Sequence, residues 1–217
     1  MKKLWIFDLD GTVLDSLSTI GNHANEVLKE WGYEEIPLPE YRRFVGNGAK
    51  NLANLVCQTR GIEEARRSEF HRIYCQRYDE EPVGATIPFP GIPEFLQAVK
   101  DRGGVLAILS NKPDKAANLV MEAIYGKGFF DLVLGQRDDY PHKPNPAGLY
   151  YLMERFGFTK EETIYFGDMD VDIETGRNAG VDTIAVTWGF RSREELKRWN
   201  PKRMVDQVEE LYALLDE

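Results

Sequence analysis

The fold is decided by the stretch Leu4-Trp5-Ile6-Phe7-Asp8-Leu9-Asp10-Gly11-Thr12-Val13-Leu14-Asp15-Ser16. Its apolar start lacks polar alternation, which is typical of a strand buried on both faces of a sheet. Asp8 and Asp10 therefore fall where the strand leaves the sheet, and open α/β sheets bind their ligands there. Alternation along an extended chain sends both carboxylates to the same side, and Gly11 allows the sharp turn that follows.

Two neighbouring carboxylates repel each other. At roughly 4 Å and an effective dielectric constant of about 20, the cost is about 4 kcal/mol, so we expect a cation beside them. An alternative is a turn in which the aspartates cap backbone amides. A calcium loop is excluded, because its glycine and its bidentate glutamate would fall at positions occupied by Val13 and Thr19.

Composition indicates an ordinary globular protein, with 217 residues, 42% hydrophobic and 29% charged. The 36 acidic and 27 basic residues give a formal net charge of -9, which predicts no nucleic-acid partner and no anionic membrane surface. An anionic substrate would then need a local positive site. The first apolar run is interrupted at Asp8, too early for a signal peptide, and no run reaches membrane-spanning length. We therefore expect a cytoplasmic protein.

Residues 16–85 show helical periodicity without a strand pattern, and the Pro- and Gly-rich segment 82–93 then leads into an alternation of helices and strands. Such alternation predicts an α/β fold, a Rossmann-like parallel sheet with helices on both faces. We expect one domain from residues 1–15 and 86–217, and an inserted all-helical domain from 16–85. The predicted elements are helices at 94–102, 116–125, 147–156, 173–179, 193–198 and 205–215, and strands at 105–109, 132–134, 163–166 and 183–186.

Three further polar clusters follow apolar segments. They are Ser110-Asn111-Lys112-Pro113, Lys143-Pro144-Asn145-Pro146 and Gly167-Asp168-Met169-Asp170-Val171-Asp172. Each has a simpler explanation on its own, since serine and asparagine are common in turns and a lone lysine is usually solvated. We expect Asn145 to cap a helix whose first residue is Pro146.

Together the clusters converge on one sheet edge. Asp8, Asp10 and Asp168 would form an oxygen-rich cage suited to Mg²⁺, which binds one or two carboxylates and fills its octahedron with water and phosphate oxygens. Asp172 lies one helical turn beyond Asp168 and would support it. Phosphoryl transfer needs such a set, because it depends on positioning and on neutralising charge.

The four clusters, in this order, resemble the motifs of the haloacid dehalogenase-like hydrolase superfamily. Those motifs are Asp8-Leu-Asp10-Gly-Thr12, the segment from Ser110 to Pro113, Lys143-Pro144 and Gly167-Asp168-x-x-x-Asp172. The helical insert resembles the type-one cap of that superfamily. The segment Val45-Gly46-Asn47-Gly48 resembles the cap loop of its phosphoglycolate phosphatase-like members.

The resemblance implies a role for each residue. Asp8 would attack phosphorus, Asp10 would act as general acid and then general base, and Lys143 would screen Asp8 from the phosphate. Magnesium would be held by Asp8, the Asp10 carbonyl and Asp168, with Asp172 in support. Substrate would be bound by Leu9, Gly11, Thr12, Gly46, Asn47, Gly48, Ser110 and Asn111, although Thr12 fits better as a residue that orients Asp10.

The expected activity is magnesium-dependent hydrolysis of a small phosphorylated metabolite, with phosphoglycolate as the nearest family precedent. Alternatives are a phosphoglucomutase-like sugar-phosphate mutase, a pyrophosphatase or 5'-nucleotidase, and a phosphate-accepting regulatory module. For specificity we expect the loop from Gly46 to Gly48 to matter more than any one of the side chains of Arg42, Arg43, Asn47 and Lys50. The oligomeric state has no signature in the sequence.

Overall fold

The computed structural model describes residues 1–137 and 141–217. Its strands are β1 (Leu4–Phe7), β2 (Leu14–Asp15), β3 (Ile87–Pro88), β4 (Val105–Pro113), β5 (Leu132–Gln136), β6 (Thr163–Gly167), β7 (Asp182–Val186) and β8 (Arg203–Val205). Its α-helices are α1 (Leu17–Glu30), α2 (Gly48–Thr59), α3 (Glu64–Glu80), α4 (Ile92–Asp101), α5 (Asp114–Tyr125), α6 (Ala147–Phe156), α7 (Asp170–Ala179) and α8 (Arg193–Lys197). Two 3₁₀ helices span Leu38–Arg43 and Val208–Asp216.

Six strands form a parallel sheet in the order β5-β4-β1-β6-β7-β8. The strand β1 lies at its centre, where Phe7 is level with Ile108 of β4 and with Phe166 of β6. Because the three strands run in the same direction, the residues that follow them meet at one edge. The predicted Rossmann-like α/β sheet is confirmed, and its carboxyl edge is where the polar clusters converge.

Both faces of β1 are buried, as its apolar sequence predicts. Phe7 stacks on Phe166 with ring centroids 4.5 Å apart, and Phe95 of α4 meets this pair edge-on. On the opposite face Leu4 and Ile6 pack in a second cluster beneath α6. No residue of β1 is more than 3% exposed, so the strand that carries Asp8 is held rigidly on both sides.

The inserted segment contains α1, α2, α3 and the first 3₁₀ helix, and the antiparallel pair β2-β3 lies at its two ends. Its apolar side chains form their own cluster, which also includes Met169 and Phe190 from the sheet edge. We refer to the helical segment 16–85 as the cap. Cys57 and Cys75 lie on its helices as free thiols. Among the described residues, no helix is long and apolar enough to cross a membrane.

Several predicted element ends differ from the structure. The strand β4 extends to Pro113, and three helices begin two or three residues earlier than expected, namely α4 at Ile92, α5 at Asp114 and α7 at Asp170. The expected last helix at 205–215 is a 3₁₀ helix that begins at Val208, and Val205 belongs to β8, where it pairs with Val186. A three-residue edge strand is too short to show a periodic pattern. The helix α6 has the predicted bounds, Ala147–Phe156, but Pro146 precedes it and is not its first residue; the Asn145 side chain accepts a hydrogen bond from the Ala147 N–H at 3.0 Å.

Candidate active site

A cavity of about 80 Å³ lies between the carboxyl edge of the sheet and the cap. The sheet side contributes Asp8, Asp10, Ser110 and Lys143 to its wall. The cap covers it with apolar and aromatic side chains, among them Tyr74 of α3. The polar clusters predicted from strand ends therefore share one enclosed space.

Three carboxylates from distant parts of the chain meet at the base of this cavity. Oxygen atoms of Asp8, Asp168 and Asp172 all lie within 4.8 Å of one another. Asp8 is 5% exposed, and the other two are fully buried. Mutual repulsion at this distance, without water to screen it, is costly, so the cluster requires counter-charge.

Lys143 supplies part of that charge. Its ammonium lies 2.8 Å from Asp8 Oδ1 and donates a hydrogen bond to Asp172 Oδ1 at 2.6 Å. Tyr165 of β6 also donates to Asp172 Oδ1, at 2.6 Å. Asp172 thereby fixes the lysine that faces Asp8, which agrees with the supporting place expected for it.

Burial controls the protonation of the cluster. It raises the pKa of Asp8 to about 7, against the opposing influence of Lys143. Burial, together with Asp172 and Asp8, raises the pKa of Asp168 well above its usual value. Although burial opposes it, the neighbouring Asp172 and Asp8 raise the pKa of Lys143. The lysine therefore stays charged, while the carboxylates lack sufficient positive charge around them.

Asp168 is held in place by two donors. The Thr12 hydroxyl donates to its Oδ1 at 3.0 Å, and the Phe190 N–H donates to its Oδ2 at 2.7 Å. Gly11 has a φ of 87°, and a Cβ atom there would collide with the Asp168 carboxylate. The expectation that Thr12 orients Asp10 or contacts substrate is wrong, because Thr12 is 1% exposed and bonded to Asp168.

Asp10 lines the same cavity as Asp8 but has different hydrogen-bond partners. The Ser16 hydroxyl donates to its Oδ1 at 2.6 Å. The Lys112 ammonium lies 3.2 Å from each of its carboxylate oxygens and donates to the Tyr78 hydroxyl on α3 at 2.8 Å. Asp10 therefore has its own buried partners, separate from those of Asp8.

This geometry agrees with the comparisons to known proteins. The sequence model of the haloacid dehalogenase-like hydrolase family matches residues 5–186. The chain is a haloacid dehalogenase-like hydrolase. The matched region includes all four polar clusters and the whole cap.

Relatives of this hydrolase with similar length are phosphatases by name. The phosphoglycolate phosphatase of Aquifex aeolicus is 32% identical over 97% of this chain and 95% of its own length. That of Haemophilus influenzae is 29% identical over 98% of both chains. A crystal structure from Haemophilus somnus, described as a predicted phosphoglycolate phosphatase, superimposes with a TM-score of 0.89 at 26% identity, covering 98% of this chain and 97% of that chain. The hydrolase is thus a phosphatase, a phosphoric monoester hydrolase.

Of the residues expected to bind phosphate, some have free hydrogen-bond donors in the structure and others do not. Ser110 lines the cavity. The Leu9 N–H has no hydrogen-bond acceptor among residues 1–137 and 141–217, whereas the Gly11 N–H is occupied by the Leu14 carbonyl at 2.8 Å. The expectation that the Gly11 backbone holds phosphate is therefore wrong, since its donor is already used within the turn.

Asn111 joins the core to the cap. Its amide Nδ2 donates to the Gly46 carbonyl at 2.9 Å and to the Lys143 carbonyl at 3.1 Å, and its Oδ1 accepts from the Lys143 N–H at 2.9 Å. Both amide hydrogens are used, so the side chain connects two loops. Contrary to the expectation, it has no amide hydrogen left to donate to phosphate. Gly46 has a φ of 113°, and a Cβ atom there would collide with Met169.

The cap loop is only partly placed as expected. Gly46 and Gly48 line the cavity, but Asn47 is exposed and lies outside the set of lining residues. The flanking cations Arg42, Arg43 and Lys50 are exposed as well. The preference for the loop over its charged neighbours is consistent with this placement.

Several polar residues at the site were absent from the sequence prediction. Lys112 belongs to a quoted motif, yet nothing in the motif distinguishes it from a solvated lysine. Tyr78 and Tyr165 fall on apolar stripes, where an aromatic residue is usually only packed. Ser16 directly follows the first motif and resembles a helix cap. Only the three-dimensional arrangement reveals their hydrogen bonds.

The donor set of this hydrolase fits a divalent cation. Three carboxylates and one ammonium leave two uncompensated negative charges. Oxygen-only ligands suit Mg²⁺, and the Asp10 carbonyl accepts no hydrogen bond from the described residues. Burial and the neighbouring carboxylates of Asp172 and Asp8, which raise the pKa of Asp168, indicate the same need for a counter-charge.

Proposed function

We propose that this phosphatase is magnesium-dependent and hydrolyses a small, phosphoglycolate-like phosphomonoester through an aspartyl phosphate on Asp8. The observation that carries the proposal is the convergence of Asp8, Asp168, Asp172 and Lys143 at one buried sheet edge, next to a second acid, Asp10. The names of its relatives support the substrate class.

In the first step, an oxygen of the Asp8 carboxylate attacks phosphorus and the bond from phosphorus to the ester oxygen breaks. Asp10 donates a proton to the departing alkoxide. Lys143 stays next to Asp8 and compensates the negative charge that approaches it. The Leu9 N–H and the Ser110 hydroxyl are the groups available to hold phosphoryl oxygens.

In the second step, water attacks the phosphorus of the aspartyl phosphate. Asp10, now ionised, accepts the proton of that water. The bond from phosphorus to Asp8 breaks, so the Asp8 carboxylate is restored and inorganic phosphate leaves. Asp10 performs both proton transfers, and the Ser16 hydroxyl keeps its carboxylate oriented during both.

Asp8, the Asp10 carbonyl and Asp168 would hold Mg²⁺, with Asp172 in support. When bound, the ion would neutralise charge on the phosphoryl group and on the carboxylates. Thr12 and the Phe190 N–H fix the direction of Asp168 toward this position. Replacement of Asp168 by asparagine should therefore weaken magnesium binding measured by calorimetry, apart from any effect on turnover.

The cavity favours a compact substrate. About 10–15 Å³ of such space holds one water molecule, so 80 Å³ has room for about six water-sized groups. That suits a phosphate with a short organic part better than a sugar bisphosphate. We propose that residues 16–85 form the cap domain and that it opens to admit substrate.

A panel of phosphomonoesters, with 2-phosphoglycolate and sugar phosphates included, tests the function. Phosphate release should require Mg²⁺, stop with chelator and disappear in Asp8→Asn. Isomerised sugar phosphate without free phosphate would instead support the mutase. The proposal is wrong if no ester in the panel releases phosphate, or if Asp8→Asn hydrolyses at the rate of the wild type.

A further inference from the structure

Lys112 is a buried cation in the wall of the cavity that the proposed mechanism does not use. Its side chain is 4% exposed. The ammonium contacts both oxygens of Asp10 at 3.2 Å and the Tyr78 hydroxyl at 2.8 Å. Within the described parts of the chain, Lys143 is the only other cation that lines the cavity, and it is engaged by Asp8 and Asp172.

The cap side of the cavity near Lys112 is mostly apolar, and its one carboxylate, Asp79 of α3, is paired with Lys115 at 2.6 Å. Cap residues above the catalytic groups include Ile20, Val45, Leu52 and Tyr74. Pockets of this type use a few precisely placed polar groups to select a ligand. The exposed cap cations do not serve here, because Arg42, Arg43 and Lys50 lie outside the set of lining residues.

Lys112 retains the capacity to bind a further group. An ammonium group has three N–H donors, and Asp10 and Tyr78 are the partners of Lys112 in the part of the chain that the structure describes. Two carboxylates balance Lys143, whereas Lys112 faces one carboxylate and a neutral hydroxyl. The wall of the cavity therefore offers a cation that can take one more anionic partner.

We propose that Lys112 is the specificity-determining residue of this site and binds a carboxylate carried by the substrate next to its ester oxygen. The inference rests on the proposed function and adds the residue that selects the organic part of the ester. In the free enzyme Asp10 and Tyr78 hold the ammonium in place. In the complex the substrate carboxylate becomes its third partner.

The position of Lys112 limits where this carboxylate can be. A hydrogen bond of about 3 Å joins the ester oxygen to Asp10, and a further 3.2 Å separates Asp10 from Lys112 Nζ. The ammonium is thus within roughly 6 Å of the ester oxygen. A carboxylate on the first carbon beyond that oxygen spans the distance, and the cavity of about 80 Å³ leaves little room for a longer chain.

The test compares two esters of similar size, 2-phosphoglycolate and ethyl phosphate, which differ in the carboxylate. Values of kcat/KM with Mg²⁺ are measured for the wild type, Lys112→Met and Lys127→Met. Wild type should prefer 2-phosphoglycolate. In Lys112→Met that preference should fall about tenfold to a hundredfold, the value of a hydrogen bond to a charged group.

Lys127→Met is the matched control. It removes the same charge, but Lys127 is exposed, lies beyond the end of α5 and does not line the cavity. The control variant should prefer 2-phosphoglycolate over ethyl phosphate by the same factor as the wild type. An unchanged preference in Lys112→Met, with both esters hydrolysed, would overturn the inference, whereas failure of the wild type to hydrolyse either ester would overturn the proposed function.

A binding measurement decides the inference without turnover. Affinities for phosphonoacetate and ethylphosphonate are measured by calorimetry on the same proteins. Wild type should favour phosphonoacetate, and Lys112→Met, or Lys112→Gln if the methionine variant does not fold, should bind both about equally. Equal affinities in the wild type would contradict the role of Lys112.

Discussion

Lys143 and Asp8 form a buried ion pair across the base of the cavity, with 2.8 Å between the ammonium nitrogen and Asp8 Oδ1. The two residues are 135 positions apart, and each is 5% exposed. The same ammonium donates to Asp172 at 2.6 Å. One lysine therefore separates two carboxylates that burial would otherwise force to repel, and both the stability and the reactivity of the site depend on it.

Replacing Lys143 with methionine should damage both catalysis and stability. Loss of a preorganised group that stabilises transition-state charge typically lowers kcat by about a hundredfold to a thousandfold. Removal of one partner from a buried pair costs about 3–5 kcal/mol, because Asp8 and Asp172 lose their counter-charge. Kinetics and denaturant unfolding measure the two effects. A variant with wild-type stability would show that the ion pair is not structurally important.

Without divalent cations, the protein should lose stability as pH rises from about 4 to about 7. Burial raises the pKa of Asp8 to about 7 from its ordinary value of 3.8 and raises the pKa of Asp168 as well. A carboxyl group with a raised folded-state pKa stabilises the fold while protonated. That contribution is complete below the unfolded-state pKa and is lost as pH rises through the folded-state pKa. The expected loss is a few kcal/mol, because each tenfold difference in proton affinity between the folded and unfolded states corresponds to about 1.4 kcal/mol.

Magnesium should reverse this loss, and its stabilising effect should be larger at pH 8 than at pH 5, because protons compete for the same oxygens. Thermal unfolding with chelator and with magnesium across this pH range makes the comparison. In Asp168→Asn, magnesium should stabilise the protein less than it stabilises the wild type. Equal stabilisation at both pH values would exclude ion binding by these carboxylates.

Asn111→Ala should loosen the cap loop and the Lys143 loop together. The variant loses the bonds from the amide to the carbonyls of Gly46 and Lys143. We expect about a tenfold fall in kcat/KM, since small misplacements of catalytic groups are costly, and faster backbone hydrogen exchange in the cap loop.

Asn178→Ala is the matched control for this brace. Its amide donates to the Pro144 carbonyl at 3.0 Å, so it supports the same loop from outside without touching the cap. The control variant should change backbone hydrogen exchange in the cap loop little. Equal effects of the two variants on that exchange would contradict the coupling between core and cap.

The sheet and the convergence of its polar edge could be predicted because their determinants are local. The uninterrupted apolar run before Asp8 predicts a buried strand, and parallel strands bring residues such as Ser110 and Asp168 to the same edge. The start of α8 is equally local, because Ser192 and Glu195 form a capping box there. Each of these signals resides within a few consecutive residues.

The remaining features depend on contacts between distant segments. No sequence pattern indicates that Thr12 bonds to Asp168 and not to Asp10, or that Lys112 meets Tyr78 on the cap. The short strand β8 is defined only by its pairing with β7, which no local pattern indicates. The sequence therefore predicted a longer terminal helix in its place. Hydrogen-bond partners are selected by geometry after the chain has folded.

The central claim, nucleophilic attack by Asp8, is tested most directly by trapping its product. Acetyl phosphate labelled in its phosphate is suitable, because it is small and its acetate leaving group needs no proton from an acid. In Asp10→Asn the first step should therefore proceed, while hydrolysis of the intermediate, which needs Asp10 as base, should be slow. After acid quenching, the account predicts stoichiometric label on the peptide that contains Asp8. Acetate release without label on the protein, or label on any other residue, would contradict it.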